Sequence, residues 1–260
     1  MTARAAWITL STALRKGAAE RGALVFTAGF YVIVISVLGS LWRTATAANG
    51  GSIAGYTAVA LTWYVATSEA ATVSLNARLI ENIGNDIASG AVTVELLRPA
   101  SVLAVRVLTE LGRSLPRLAA CIAGGSLVAL LTGGAPPSYA AALLAVPSLV
   151  LAIACNLMAM HAFAGVGFWL RDTRSAWFLY QKFVFVIGGM LIPLELLPEA
   201  MSAVAWALPF AAMAYAPARL ASGHAEPWLL LVQAGWLAVL SLLAVRVFAA
   251  GERRIVAVGA

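Results

Sequence analysis

The residues that could carry out covalent, acid–base or metal chemistry are few and far apart in this chain. His161 and His224 are the only histidines, and no cysteine or carboxylate stands at metal-ligand spacing from either of them. Asp86 and Asp172 are the only aspartates. Neither a phosphate-binding loop ending in Gly-Lys-Ser/Thr nor a Gly-x-Ser-x-Gly turn occurs. The sequence therefore predicts no enzyme active site, no metal site and no cofactor site on this chain.

Proton transfer inside an apolar interior is the next chemistry to consider. Glu69 lies near one end of an apolar stretch, Glu110 has Arg106 and Arg113 at helical spacing, and His161 stands within another apolar stretch. A single histidine on a face of Ala and Phe residues is more often packed and hydrogen-bonded than catalytic. Such an interior disfavours a proton-driven carrier. It suits an apolar or amphiphilic cargo, with energy supplied from elsewhere.

Six long apolar stretches must position these residues, in a chain that is 62% hydrophobic and 11% charged. They are Ala23–Trp42, Ile53–Val73, Leu115–Leu131, Tyr139–Leu170, Ala176–Pro193 and Trp228–Phe248. A helix of about 20 apolar residues crosses a bilayer core about 30 Å thick. The predicted fold is therefore an all-α polytopic membrane protein with six transmembrane helices, in a single domain of residues 1–260.

The distribution of basic residues predicts the orientation of these spans. If the chain crosses six times, all but two of the 17 Lys and Arg residues fall on one side, and only Arg43 and Arg219 fall on the other. By the positive-inside rule, both termini are then cytoplasmic. The net charge of +6 reflects this flanking pattern, which meets anionic lipid head groups, so we expect no nucleic-acid partner. Cys121 and Cys155 lie inside apolar stretches and are expected to be packing residues.

Three segments outside the predicted spans have residue patterns that predict a particular local structure. Residues 1–22 carry apolar residues at helical spacing and predict an N-terminal helix in the membrane interface. Residues 74–114 form a long cytoplasmic loop with charges of both signs, in which we expect short amphipathic helices. Residues 194–227 contain the apolar segment Ala200–Tyr215, which is too short for a span. It predicts a re-entrant or interfacial helical segment on the outer side.

Four features stand in a characteristic order along the chain. The interfacial helix comes first. The loop after the second span then reads Asn85-Asp86-Ile87-Ala88-Ser89-Gly90 and Leu96-Leu97-Arg98-Pro99, and Trp169-Leu170-Arg171-Asp172 precedes the fifth span. The fifth span ends with Gly188-Gly189-Met190-Leu191-Ile192-Pro193, followed by Leu197-Pro198. Over essentially its full length, this set resembles the membrane (permease) subunit of a type-2 ATP-binding-cassette exporter, in the branch with small six-span chains.

The resemblance implies how the parts are used. In this family the loop between spans two and three carries a coupling helix, which docks in a groove of a separately encoded ATPase subunit. The resemblance places that helix at about Arg78–Gly90, and it implies coupling roles for Arg78, Glu81, Asp86, Ser89 and Gly90 and a cytoplasmic turn at Arg171 and Asp172. It also implies a second permease chain, alike or different, a bacterial-type inner membrane, and ATP and Mg²⁺ bound by the ATPase partner.

Aromatic residues within the spans offer a path for a hydrophobic substrate, although packing or lipid contact would explain each of them singly. The candidates are Phe30, Tyr64, Phe163 and Phe183. The expected function is ATP-driven export of a hydrophobic or amphiphilic compound, such as a drug, an antibiotic or a lipid-like molecule, by alternating access. Three alternatives remain open: an ATP-independent secondary carrier, an intramembrane lipid-modifying enzyme, and the membrane component of an ATP-driven importer.

Overall fold

The structure is a computed structural model that describes residues 2–97, 100–170 and 172–259, with the backbone alone from residue 256 onward. In these residues the chain is all-α apart from one hairpin of two short strands, β1 (Ser52–Ile53) and β2 (Tyr56–Thr57). The α-helices are α1 (Ala3–Ala19), α2 (Arg21–Ala48), α3 (Ala58–Val73), α4 (Leu79–Ala88), α5 (Ala91–Leu96), α6 (Val102–Thr132), α7 (Tyr139–Ala164), α8 (Arg174–Lys182), α9 (Glu199–Ala207), α10 (Phe210–Met213), α11 (Tyr215–Ala221) and α12 (Trp228–Gly259). Turns of 3₁₀-helix occupy Gly165–Phe168 and Leu194–Leu196, and a π-helical turn occupies Phe183–Ile187.

Four helices within the described residues are long and apolar enough to cross a bilayer. They are Arg21–Ala48, Val102–Thr132, Tyr139–Phe168 and Trp228–Ile255, where the third includes the 3₁₀ turn after α7. They coincide with the first, third, fourth and sixth predicted stretches. The second stretch forms α3, of 16 residues, and the fifth forms α8, of 9 residues, with the 5-residue π-helical turn after it. Both are shorter than a typical membrane-spanning helix.

The second stretch begins as the β1–β2 hairpin and not as a helix. The strands pair in antiparallel register, with Ile53 opposite Tyr56. The side-chain oxygen of Thr57 then caps α3 by accepting a hydrogen bond from the Ala60 N–H at 3.2 Å. The helix therefore begins later than the sequence indicated, and the hairpin covers its first turn.

Helix α6 is continuous, so the end of the predicted loop 74–114 and the third predicted stretch form a single helix. Ser101 caps the first turn by accepting a backbone hydrogen bond, and the helix runs on through Pro116. Its first half packs closely on α1, because a Cβ added at Gly112 would lie 2.7 Å from the Leu10 carbonyl oxygen. We attribute the tolerance of a proline inside this helix to that lateral support, which offsets one lost backbone hydrogen bond.

The fifth stretch stops being helical at Ile187, before the predicted boundary at Pro193. Gly189 has a φ of 69°, which helical geometry does not allow and which glycine adopts readily. The backbone groups released by this break have partners on other elements. The carbonyl of Gly188 accepts a hydrogen bond from the Tyr215 N–H at 3.0 Å. The carbonyl of Met190 accepts one from the Ser68 hydroxyl at 2.6 Å.

The segment predicted as one re-entrant helix is three short helices, α9, α10 and α11. Buried side chains of the long helices satisfy the carbonyls at the end of α10. Gln233 Nε2 on α12 donates to the Ala212 carbonyl at 2.9 Å, and Asn156 Nδ2 on α7 donates to the Met213 carbonyl at 3.5 Å. Gln233 is itself held by the Ser148 hydroxyl at 2.8 Å. Irregular backbone is stable in an apolar interior only with such partners.

Candidate functional site

Helix α4 is amphipathic and packs on one end of the helix bundle. Its apolar residues Leu79, Ile80 and Ile83 are buried, whereas Asn82 and Asn85 on the other face are exposed. This end of the bundle also holds the 3₁₀ turn after α7 and the C-terminal part of α12, which carries Arg253 and Arg254. We call it the basic end.

The close contact of α4 with the bundle depends on Gly84. A Cβ added at Gly84 would lie 2.1 Å from Thr173 Oγ1 and 2.8 Å from Thr173 Cβ, so no larger residue fits without a shift. The Thr173 hydroxyl donates a hydrogen bond to the Ile80 carbonyl at 3.3 Å. Thr173 belongs to the short connection between α7 and α8, and Gly167 of the 3₁₀ turn also lies against Gly84. The structure therefore joins α4 to the turn that precedes α8.

Two further hydrogen bonds order this connection. Trp177 Nε1 on α8 donates to the Ala77 carbonyl, just before α4, at 2.6 Å. The Asp172 carboxylate accepts a hydrogen bond from the Arg174 N–H at 2.8 Å, which starts α8. Asp172 thus acts locally within the predicted turn. Its predicted neighbour Arg171 lies outside the described residues.

Most of the predicted coupling residues lie on the polar face or at the ends of α4. Arg78 is exposed at the first end, and Glu81 is partly buried in the first turn. Ser89 follows the helix and is exposed, and Gly90 comes next with a φ of 76°. Together with the two exposed asparagines between them, they make up the polar edge of α4.

Asp86 has a partner within the chain. Its carboxylate lies 2.8 Å from Arg106 Nη2 on α6, and Arg106 also binds Glu95 on α5 at 2.8 Å. The sequence offered Arg106 and Arg113 as partners of Glu110, and Glu110 pairs with Arg113 at 3.4 Å. Helical spacing reveals only pairs within one helix, and for that reason the pair between α4 and α6 was missed.

The four aromatic residues predicted to line a substrate path do not all lie together. Phe163 contacts Tyr180, with ring centroids 5.4 Å apart, and Phe183 contacts Phe210, with ring centroids 5.3 Å apart. Tyr180 and Phe210 are 6.2 Å apart, so these four rings form one row. Tyr64 is buried elsewhere, and its hydroxyl donates to the Gly189 carbonyl. Phe30 is 54% exposed on α2, away from the row.

A cavity of about 210 Å³ lies next to this row, between the end of α3, α7 and α8. Its apolar lining includes Met160 and Met190, and Asn156 accepts a hydrogen bond from the Tyr180 hydroxyl at 2.6 Å at its wall. Lys182 also lines it and is exposed. The cavity therefore combines an apolar lining with a few polar groups, as ligand pockets commonly do.

A polar cluster at the opposite end of the bundle was not predicted. We call this end the hairpin end. Arg219 on α11 lies 3.1 Å from the Glu195 carboxylate and 3.0 Å from the Glu226 carboxylate. It also donates to the Tyr56 hydroxyl of the hairpin, and Tyr215 donates to Glu195 at 2.5 Å. The sequence did single out Arg219, because it is one of only two basic residues on its side of the predicted spans. Nothing in the spacing of the residues indicated its partners.

His224 lies beside this cluster. Its ring centroid is 5.1 Å from that of Tyr56, and its Nδ1 is 3.1 Å from the Ser222 hydroxyl. Burial lowers the pKa of His224 below its ordinary value, and the positive charge of Arg219 lowers it further. The hairpin end therefore favours a neutral imidazole.

Similarity to known proteins gives the family of this chain. No curated protein matches the chain. Residues 24–259 match the family described as ABC-2 family transporter protein, a match that begins within α2 and runs through the rest of the described chain. With its long apolar helices, the match makes this a multi-pass membrane protein. Because the match covers most of its length, the chain belongs to the ABC-2 transporter family as a type-2 ATP-binding-cassette permease subunit.

Proposed function

We propose that this chain is the transmembrane subunit of an ATP-driven exporter of hydrophobic or amphiphilic compounds. The observation that carries the proposal is α4, an amphipathic helix whose apolar face is fixed to the bundle while its polar edge stays free. A second protein can bind such an edge and move the helix without unfolding it. Family membership supplies the class of partner, an ATP-binding-cassette ATPase.

In this proposal the chain crosses the membrane six times. The second span is α3, and the fifth is α8 together with the π-helical turn. Their lengths by helical rise are about 24 Å and about 21 Å. The β1–β2 hairpin and α9 to α11 extend them on the hairpin side. The hydrogen bonds to the Gly188, Met190 and Ala212 carbonyls support the burial of this irregular backbone.

The charge distribution supports an inner-membrane orientation with the basic end in the cytoplasm. Both termini, α1 and α4 then lie on the cytoplasmic side, and the Arg219 cluster lies outside. Helix α1 exposes Trp7 and Ile8 by 68% and 53%, which suits a helix in the lipid interface. In this arrangement the polar edge of α4 faces the compartment that contains ATP.

The mechanism that follows is alternating access without covalent chemistry on this chain. ATP and Mg²⁺ bind the ATPase partner, and closure of the ATPases displaces α4 through Arg78, Glu81, Ser89 and Gly90. The permease then passes between inward-facing and outward-facing arrangements. A second permease chain, alike or different, completes the path, because one bundle of six spans encloses only part of it.

The cavity beside Tyr180 supports an amphiphilic cargo. Its lining is mostly apolar, and the row from Phe163 to Phe183 continues from it. Lys182 provides a positive charge that would attract a polar or anionic group of the cargo. We propose this cavity as one wall of the substrate path.

An ATP-independent secondary carrier is the alternative, and two buried ionisable residues favour it. Glu69 is 6% exposed and His161 is fully buried. His161 Nδ1 lies 2.7 Å from the Leu157 carbonyl, and within the described residues its Nε2 has no hydrogen-bond partner. A carrier of this kind would lose transport when the proton gradient is collapsed while ATP is maintained.

Purification of the chain from mild detergent tests the proposal. We expect an ATPase subunit with a phosphate-binding loop to copurify in stoichiometric amount. The double variant Arg78→Glu with Glu81→Lys should weaken its retention and ATP-driven transport. Glu199→Lys, an exposed acid at the hairpin end, serves as the matched control and should change neither. A monodisperse chain that transports without an ATPase would overturn the proposal in favour of the secondary carrier.

A further inference from the structure

One guanidinium links three helices at the basic end. Arg106 Nη2 lies 2.8 Å from Asp86 Oδ2, and Arg106 makes a two-point contact with Glu95, Nε to Oε2 and Nη2 to Oε1, both at 2.8 Å. The Arg106 side chain is 14% exposed, against 44% for Asp86 and 35% for Glu95. Parallel hydrogen bonds between a guanidinium and a carboxylate have a fixed geometry. The contact therefore restricts how α4, α5 and α6 lie relative to one another.

Little else joins α4 to α6 within the described residues. A cavity of about 200 Å³ lies between them, with Leu79 and Ile83 of α4 on one side and Val102 and Val105 of α6 on the other. Leu79, Ile83 and Val102 are buried in the same apolar core, but along this cavity the two helices do not pack directly on each other. The Arg106 side chain also lines this cavity. The ion pair thus bridges a gap that apolar side chains do not fill.

The other basic residues of α6 are placed differently. Arg113 pairs with Glu110 three residues earlier on the same helix, at 3.4 Å. Arg117 lies 3.6 Å from Glu20, between α1 and α2. Neither contacts α4 or α5 by an ion pair. Arg106 is therefore distinguished by the elements it joins and not by its charge.

We propose that Arg106 is a positioning residue that passes the movement of α4 to α6. The inference rests on the proposed function, in which an ATPase partner displaces α4. It reassigns Asp86 from a contact with the ATPase to an internal link. Helix α6 continues as one helix from Arg106 to Thr132 at the hairpin end, so a displacement at Arg106 reaches the other side of the membrane along a single element.

Helix α4 has a second contact with the bundle, which offers another way for its movement to reach the other helices. Gly84 and Thr173 connect α4 to the turn before α8, a contact that depends on packing and not on charge. If that route alone carried the movement, loss of the Arg106 charge would leave the movement of α6 unchanged. A readout located on α6 distinguishes the two routes.

The experiment uses the complex of this chain with its copurified ATPase, in lipid nanodiscs. Cys121 and Cys155 are replaced by alanine, and spin labels are placed at Leu131 on α6 and Leu231 on α12, both strongly exposed near the hairpin end. The distance between the labels is measured without nucleotide and after trapping with ATP and vanadate. The variants are Arg106→Gln, the matched control Arg113→Gln, and the charge reversal Arg106→Glu with Asp86→Arg and Glu95→Arg, which exchanges the charges of both pairs.

In the complex with unsubstituted Arg106, we expect trapping with ATP and vanadate to change the distance between the labels. The Arg113→Gln control should show the same shift. Arg106→Gln should lose the shift while still retaining the ATPase, and the charge reversal should restore it. A full shift in Arg106→Gln, or a reversal that restores nothing, would overturn the role of Arg106. Absence of an ATPase from the unsubstituted preparation would instead refute the proposed function, so the two failures are distinguishable.

Discussion

Replacement of Arg219 by alanine should destabilise the chain more than the loss of any other basic residue at the hairpin end. The side chain is 16% exposed and binds two carboxylates, Glu195 and Glu226, that are 33% and 28% exposed. It also binds the Tyr56 hydroxyl and lies over the Tyr56 ring, 5.3 Å from its centroid. Its removal leaves Glu226 without its partner and removes the direct hydrogen bond between the hairpin and α11. Glu195 still accepts hydrogen bonds from Tyr56 and Tyr215.

The magnitude follows from the partial burial of these pairs. An exposed ion pair contributes at most about 1 kcal/mol, whereas breaking a fully buried one costs about 3–5 kcal/mol. Two pairs of intermediate exposure and one hydrogen bond to Tyr56 together suggest about 2–3 kcal/mol of lost stability. For a chain of this size that corresponds to a fall of about 5–10 °C in the unfolding midpoint.

Thermal unfolding in detergent, followed by tryptophan fluorescence, measures this effect. Trp206 packs against Tyr215, with ring centroids 5.3 Å apart, and reports on the region. Arg43→Ala is the matched control. Arg43 makes hydrogen bonds to Thr132 and Ser40 at 3.5 Å and 3.0 Å but no ion pair within the described residues. An unchanged midpoint in Arg219→Ala, or an equal fall in the control, would refute the reasoning.

Three further predictions concern other parts of the structure. Gly84→Ala should reduce ATP-driven transport, because the new methyl group overlaps Thr173, and adding Thr173→Ala should restore part of it in a transport assay. The midpoint of unfolding should fall as the pH drops below about 6.5, since the folded state disfavours protonation of His224 whereas the unfolded chain accepts the proton, and His224→Asn should flatten that pH profile. Tyr180→Phe should lower the unfolding midpoint by an amount corresponding to about 1–2 kcal/mol, because Asn156 Oδ1 loses its buried 2.6 Å hydrogen bond; an unchanged midpoint would contradict this.

Hydrophobic length and periodicity predicted the regular parts of the fold. The four longest helices coincide with predicted stretches because each contains a long apolar segment with few charged residues, close to the thickness of a bilayer. The buried face of α4 was also visible, since Leu79, Ile80 and Ile83 recur at helical spacing. These signals are local, and a single sequence contains them completely.

The contacts between distant elements could not be predicted in this way. The hairpin before α3 depends on backbone pairing, and the early end of the π-helical turn depends on the conformation of Gly189, which an apolar count does not register. The Asp86–Arg106 pair and the approach of Gly84 to Thr173 join residues far apart in the sequence. Helical spacing offered Asp86 no partner within the chain, because Arg106 lies on a different helix.

The broken backbone between α8 and α11 has a consequence for how the chain is made. The Ala212 carbonyl is satisfied by Gln233, which lies on α12 and leaves the ribosome after it. A free peptide carbonyl costs several kcal/mol in hydrocarbon, so this segment is not stable there until the last helix has arrived. In the proposed six-span arrangement, the fifth and sixth spans are therefore expected to enter the bilayer together, and a nascent chain truncated before Gln233 should remain bound to the insertion machinery.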